Sequence, residues 1–472
     1  MPKCIFMFDM FFLLHVLGLY GFAKLINDKV PDPYMDEIFH IPQAQQYCRG
    51  RYTEWDPKLT TPPGLYLASN SVAYMGGLFG YDFCTVNALR FTNILFSVGL
   101  YFTILSLVSQ RTATSQWKAQ MYALALSWFP VGYFYNFLYY TDTGSTFLVL
   151  LSYLCVTKKM YHLSGIIGTL SLTFRQTNII WLGLFMMISI INILTKKANA
   201  QKKDHKNSQL TALYNPLCST IKQPSQIFKS IYSLVIATFN NLPLLLPNVI
   251  TFMLGIVLFS IFLVWNKGIV LGDKSNHVAG LHFPQLFYYM SFLTFFAAPW
   301  TISRAMLSSI IYQISVRRVV YGCLSTTIAL YLVYRYTYEH PFLLSDNRHY
   351  SFYVWKKIYR RHWAARYFLT PVYIFCSQIN FLALVKNVSL LVTLGYLFTL
   401  ILMLVPSPLL EFRYFISPFL FYMVNIPPPS QLRRLIVGMI FFLIVNFVTI
   451  YLFVYKPFTW VSEPNNLQRF MW

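Results

Sequence analysis

Apolar runs of membrane-spanning length recur along almost the whole chain and leave few ways for it to fold. Residues 5–26, 87–109, 120–140, 247–265, 384–404 and 435–454 each approach the roughly 20 residues that a helix needs to cross hydrocarbon. Every backbone polar group in lipid has to be satisfied internally, so only helices and closed barrels can span it. Barrels are built from short alternating strands, whereas these runs are long and continuous. A charged fraction of 11% and a mean hydropathy of +0.50 agree with a membrane chain, since soluble proteins carry about 25% charge. The sequence therefore predicts an all-α, polytopic transmembrane helical bundle of about 11–14 spans. It forms a single domain over residues 1–472. The first run is too long for a signal-peptide core and lacks a small-residue cleavage site, so it is expected to stay in the protein.

Charge orients the bundle. Lys and Arg number 37 against 15 Asp and Glu, a net +22 that in a soluble chain would point to nucleic acid. Here the basic residues gather between spans, as cytoplasmic retention of positive charge predicts, and no nucleic-acid-binding module is legible. Residues 195–243 carry Lys196, Lys197, Lys202, Lys203, Lys206, Lys222 and Lys229 against Asp204 alone. They are expected to form a flexible basic cytoplasmic loop. By parity residues 27–80 form the first loop on the opposite, lumenal or external side, with an interfacial helix over 64–79. The polar turns at 139–145, 174–178 and 266–285 fall on that side too. Cys48 and Cys84 share it and could pair there, but two isolated thiols among seven scattered cysteines are a weak signal, and the expectation is free, buried cysteines. No internal repeat is visible, which disfavours transporters built from repeated halves.

The first loop is the acidic centre of the chain. Asp28, Asp32, Asp36, Glu37, Glu54 and Asp56 are six of the fifteen acids. Asp36 and Glu37, among Pro33, Tyr34, Phe39 and His40, offer a carboxylate in a partly apolar setting suited to general-base work. They equally suit a helix start, where acids complement the macrodipole. Arg175, Lys274 with His277, and Arg348 with His349 supply cationic turns of the kind a phosphate leaving group requires, although each alone reads as a snorkelling or capping residue. There is no Gly-rich phosphate loop, GxSxG, HExxH or paired Cys/His set, so ATP hydrolysis, serine hydrolysis and zinc chemistry find no support.

Eight blocks, PYMDEIFHIPQAQQYC, WDPKLTTPPGLY, YYTDTGS, FRQTN, GDKSNHVAGLHFPQ, HPFLLSDNRHY, LLEFRYF and RFMW, run nearly the full length. With them the chain resembles the dolichyl-phosphate-glucose-dependent α-1,2-glucosyltransferases of lipid-linked oligosaccharide assembly. The resemblance implies a GT-C glycosyltransferase in the endoplasmic reticulum membrane with a lumenal active site. It implies dolichyl phosphate glucose as donor and a dolichyl-diphosphate oligosaccharide as acceptor, with no cofactor and no metal. An inverting displacement asks for one base, which maps to Asp36 or Glu37. Trp55 and Asp56, with His40 and Asp142, are the implied acceptor residues; Lys274, His277, Arg175 and Arg348 are the implied phosphate ligands. The alternative is a lipid or ion transporter or a channel-associated subunit, which Arg175 would serve equally. A transporter has no need of an acidic loop flanked by an interfacial helix.

Overall fold

The computed structural model describes residues 10–78, 80, 82, 84–111, 115–203, 213–274, 279–312 and 315–472. The first half is built from α1 (Met10–Lys29), α2 (Glu37–Cys48), α3 (Gly64–Gly77), α4 (Val86–Ser109), α5 (Gln116–Ser127), α6 (Pro130–Phe134), α7 (Thr141–Thr157), α8 (Tyr161–Leu172), α9 (Ile179–Lys203) and α10 (Ser225–Phe239). The second half continues with α11 (Leu242–Asn266), α12 (Pro284–Thr301), α13 (Arg304–Tyr312), α14 (Val316–Tyr336), α15 (Pro341–Ser345), α16 (Tyr350–Val354), α17 (Ala365–Phe368), α18 (Thr370–Val385), α19 (Leu390–Leu404), α20 (Ile416–Val424) and α21 (Leu432–Tyr455). A short antiparallel hairpin, β1 (Phe458–Trp460) and β2 (Glu463–Gln468), follows.

Six helices are long and apolar enough to cross a membrane by length and composition: Met10–Lys29, Val86–Ser109, Gln176–Ala200, Leu242–Asn266, Ala365–Val385 and Leu432–Tyr455. Shorter helices, α19 and α20 among them, fill in between. Helix α3, of 14 residues, lies within the first loop. Its neighbour α4 starts on a cap, with Thr85 Oγ1 accepting the Ala88 N–H at 3.4 Å. The run at 120–140 is broken, because Pro130 ends the ladder of α5 and opens α6. Side chains pack closely where small residues face each other. A Cβ added to Gly165 of α8 would lie 2.1 Å from Thr251 Oγ1, and one added to Gly255 of α11 would lie 2.2 Å from Thr169 Oγ1, the small-residue packing that draws helices together in lipid.

The connections sort onto two faces. On one, Gly64 N–H donates to Thr173 O at 2.7 Å, Leu271 N–H to Thr60 O at 3.3 Å and His282 N–H to Val405 O at 2.8 Å. The first loop, the turn at 173–178, residues 271–273 and 280–282, and the end of α19 therefore meet there. On the other face Arg111 reaches Asn425 at 2.5 Å, Lys118 reaches Ser430 O at 2.9 Å and Cys218 N–H meets Val388 O at 3.2 Å.

Two expectations are corrected. The segment 195–243 is no featureless loop: α9 runs through it to Lys203 and α10 occupies Ser225–Phe239, while Asn215 bonds Ser389 Oγ at 3.1 Å and the Leu391 N–H at 3.0 Å. Apolar Phe228, Tyr232 and Phe239 on α10 supply the reason, since spacing that puts apolar groups on one stripe favours an amphipathic helix. The other correction concerns the cysteines: Cys48 and Cys84, read as free, are joined by a disulfide. Helix α2 delivers one and the entry to α4 the other, with Gln45 Nε2 donating to Cys84 O at 3.1 Å beside them.

That bridge closes a 36-residue separation, and cross-links of this kind limit the entropy of the unfolded chain. Cys48→Ser with Cys84→Ser is expected to reduce stability by about 2–4 kcal/mol. Thermal unfolding in detergent measures it, and an unchanged midpoint would show that the bridge carries no stability.

Candidate active site

A cavity of about 230 Å³ lies where the first loop, the 341–351 segment, the 409–413 turn and the chain after β2 converge. Its polar wall holds Asp36, Asp346, His349, Glu411 and Arg413; its apolar wall holds Phe342, Leu343, Leu409, Leu410 and Met471. A lining that combines charged and apolar side chains fits a polar head group carried on a lipid.

Local backbone presents Asp36. Met35 adopts a left-handed φ of 56°, unfavourable for a residue with a long side chain, and turns the chain sharply into α2. Asp36 occupies the N-cap position of α2 but makes no side-chain cap, which leaves its carboxylate free to face the cavity. The Asp36 N–H donates to Tyr140 OH at 3.1 Å, and Oδ2 accepts Arg413 Nη1 at 2.8 Å. Oδ1 meets no donor among the described residues. Protein encloses the group, yet 39% of its side-chain surface stays open to the cavity. Burial opposes ionisation, but Arg413 outweighs it, with His40 and His349 adding to the pull; the carboxyl titrates below its ordinary value of 3.8.

Glu37, one residue later, is spent. Oε1 accepts Arg90 Nε at 2.8 Å and the Tyr139 N–H at 2.6 Å, while Oε2 accepts Arg90 Nη2 at 2.6 Å and the Tyr34 N–H at 3.0 Å. Four donors fill the acceptor sites of a carboxylate, and the side chain is fully buried. Arg90 of α4 in turn donates to Val30 O at 2.8 Å, Asp32 O at 3.1 Å and Asn27 Oδ1 at 3.1 Å. The pair ties α1, α2, α4 and the start of α7 into one knot.

Arg413 is the cation of the cavity. Its Nε donates to Glu411 Oε2 and its Nη1 to Asp36, its plane lies 5.9 Å from the Tyr140 ring, and Nη2 has no acceptor among the described residues. Around it, Arg348 clasps Asp346 through two 2.8 Å bonds, donates to Gln468 at 3.0 Å and stacks over Trp460 at 4.8 Å. The Trp472 carbonyl lies 2.9 Å from His349 Nδ1.

The remaining sequence-predicted residues lie around the cavity rather than in it. Arg175 pairs with Asp142 at 2.7 Å behind Tyr414, whose ring is 5.9 Å from the guanidinium; Asp142 Oδ2 and Arg175 Nε are buried without a partner. His40 Nδ1 is 2.6 Å from Tyr66 OH. Burial, aided by the charges of Arg413 and Arg175, lowers His40 to about 4, so it is neutral at physiological pH. Trp55 donates to Leu59 O at 3.3 Å and packs on Tyr66, while Gln43 accepts the Asp56 N–H at 2.9 Å. The 271–273 turn lies over them, and Gly272 approaches Pro57 O so closely that a Cβ would sit 2.2 Å away. Lys274 is exposed and donates to Asn266 O, outside the cavity lining. His277 lies outside the described residues. Among those residues no group of three or more His, Cys, Asp or Glu is arranged to hold a metal ion.

Arg413 and Glu411 were missed as individual candidates, although the LLEFRYF block contains both. The available signal was an E-x-R pair between apolar runs, the arrangement expected when two charges face each other inside a protein.

The chain matches the DIE2/ALG10 family over residues 30–424. It is 39% identical over 477 residues to a human protein, covering 98% of this chain and 97% of the relative, and 38% identical over 471 residues to a rat protein, with the same coverage. An Arabidopsis thaliana protein is 35% identical over 500 residues, 95% of this chain and 96% of the relative. All three are named Dol-P-Glc:Glc(2)Man(9)GlcNAc(2)-PP-Dol alpha-1,2-glucosyltransferase. No solved structure matches the chain.

Proposed function

The chain belongs to the DIE2/ALG10 family, and from that premise we propose that it moves glucose from dolichyl phosphate glucose to the terminal glucose of a dolichyl-diphosphate oligosaccharide, with Asp36 as general base. It is a dolichyl-phosphate-glucose-dependent glucosyltransferase of lipid-linked oligosaccharide assembly. The observation that supports the assignment to Asp36 is the contrast between two neighbours: Asp36 opens an unoccupied oxygen onto the cavity, whereas every acceptor site of Glu37 is filled.

In this reading Asp36 Oδ1 accepts the proton of the acceptor 2-hydroxyl as its oxygen bonds to the anomeric carbon of the donor. The bond from that carbon to the phosphate oxygen breaks with its electron pair going to dolichyl phosphate, and configuration inverts. Arg413 Nη2 receives the phosphate, its charge developing where a donor already points. Phe342, Leu343, Leu409 and Leu410 give the first isoprene units an apolar wall. Arg348, held by Asp346, shapes the cavity from behind, and His40, Trp55 and Asp56 position the acceptor side through the Tyr66 cluster. The face carrying Asp36 is assigned to the endoplasmic reticulum lumen; the Cys48–Cys84 bridge supports an oxidising compartment.

Arg413 tests the arrangement. Arg413→Gln is expected to raise the donor KM about tenfold or more, and Lys274→Ala to leave it unchanged. The pH profile adds a second readout. Asp36 is the base only when ionised, so wild-type activity falls as pH drops through a pKa below 3.8. Without Arg413 the burial effect prevails, the pKa rises and the acidic limb moves to higher pH. An unmoved limb with an unchanged donor KM would remove Arg413 from the site, and absence of glucose transfer by the wild-type protein would overturn the function itself.

A further inference from the structure

A second cavity, of about 290 Å³, opens on the same face as the Asp36 cavity and is lined by Glu339, Trp355, Tyr359, Arg360, Trp363 and Arg366 with Thr337. Its wall is organised. Trp355 is buried and stacks on Tyr359 at 4.8 Å. Glu339 Oε2 accepts Trp355 Nε1 at 2.6 Å and forms an ion pair with Arg360, whose Nε lies 3.1 Å away. Both contacts fall on Oε2 of Glu339, the one carboxylate among the described lining residues, while Arg360 keeps both terminal nitrogens without an acceptor among the described residues. The Arg366 guanidinium lies 5.5 Å from the Tyr367 ring and has no acceptor among those residues. Exposed Lys356, Lys357 and Arg361 add positive charge nearby. At the rim Trp363 is 72% exposed; beyond it Phe368 is 79% exposed, and Val372 and Phe375 continue the apolar surface along α18.

Two unspent guanidinium forks beside aromatic walls, at the edge of an apolar helix face, are complementary to phosphate oxygens carried on a lipid. The two cavities are walled by one segment: Phe342 to Ser351 line the first, and Trp355 to Arg366 line the second. In the proposed reaction Arg413, the one arginine among the described lining residues of the Asp36 cavity, receives the donor phosphate, and the diphosphate of the acceptor, which takes no part in the chemistry, has to lie outside that cavity. We propose that the Arg360–Arg366 cavity binds the diphosphate of the lipid-linked oligosaccharide, anchoring the acceptor while its terminal sugar reaches Asp36. The identity of the lipid rests on the function proposed above; binding of a diphosphate lipid does not.

The test separates the two. Binding of a short-chain polyprenyl diphosphate to the purified full-length protein is measured in detergent, independently of turnover. Arg360→Ala with Arg366→Ala is expected to weaken it about tenfold or more, and Arg360→Lys with Arg366→Lys to recover part of the loss. The exposed Trp363→Ala serves as a variant that leaves the fold intact and is also expected to weaken binding. In the transfer assay the same arginine pair raises the acceptor KM and not the donor KM. Equal binding by the wild type and all these variants overturns the site. If phosphatidylinositol in nanodiscs displaces the polyprenyl diphosphate at equal concentration, the cavity is a general anionic-lipid site and the diphosphate assignment fails. Wild-type binding without any glucose transfer would instead overturn the proposed reaction and leave the site standing.

Discussion

Asp36→Asn is expected to lower the rate of glucose transfer by about 10³-fold, equivalent to about 4 kcal/mol of transition-state stabilisation, while the protein remains folded. The amide matches the carboxylate in shape and still accepts the Arg413 bond, but it cannot take a proton from the acceptor hydroxyl. Single-turnover transfer from dolichyl phosphate glucose, with both substrates saturating, isolates the chemical step from binding. Wild-type turnover by Asp36→Asn would end its role as base. A large loss with no change in the thermal midpoint would locate the defect in chemistry, because the side chain is 39% exposed and lies outside the buried core.

Glu37→Gln should fail in a different way. Removing one partner of a buried ion pair leaves the other charge uncompensated, a cost of about 3–5 kcal/mol. Arg90 is 2% exposed and cannot turn to solvent. The amide also puts a donor in place of one carboxylate oxygen, and each oxygen accepts a backbone N–H, Oε1 from Tyr139 and Oε2 from Tyr34. The expected outcome is a low yield of folded protein and a thermal midpoint several degrees lower, with residual activity following the folded fraction. Glu37→Leu combined with Arg90→Met, which removes both charges, should recover part of the stability, since an apolar pair of similar volume often matches a buried ion pair. Full stability with lost turnover in Glu37→Gln would reverse the roles of the two acids.

Adjacent positions acquire opposite duties for a geometric reason. Successive residues entering a helix point about 100° apart, so the two carboxylates face different partners. Glu37 turns inward to Arg90 of α4, and Asp36 turns to Arg413, which lies 377 residues away in the chain. Composition marked the loop as acidic and left both acids open. Nothing local to the loop distinguishes them, because each distinguishing partner arrives from a distant helix or turn.

The other site residues divide along the same line. Arg175 and Arg348 are cations placed on the expected face, but each is already matched by a carboxylate, Asp142 or Asp346. Lys274 falls outside the cavity because Gly272 and Asp273 pin its turn to Pro57, where the Asp273 N–H donates at 2.8 Å. Arg413 fills the place given to Lys274 by sequence. The cysteine bridge was likewise undecided: a shared face made the pair possible, but a separation of 36 residues does not show proximity until α2 and α4 pack against each other.

Hydropathy by itself determined that this chain is a helical membrane bundle, because lipid offers no partner for an unpaired backbone amide and so permits little else. The distribution of charge determined which connections share a face, and the acidic loop came with them. Only the tertiary structure decided which carboxylate is free and which is locked, which arginine stands in the cavity, and that a second cavity lined by Arg360 and Arg366 lies beside the first. Those properties depend on hydrogen bonds between residues far apart in the chain, and a sequence does not show which donors remain unspent until its helices have packed.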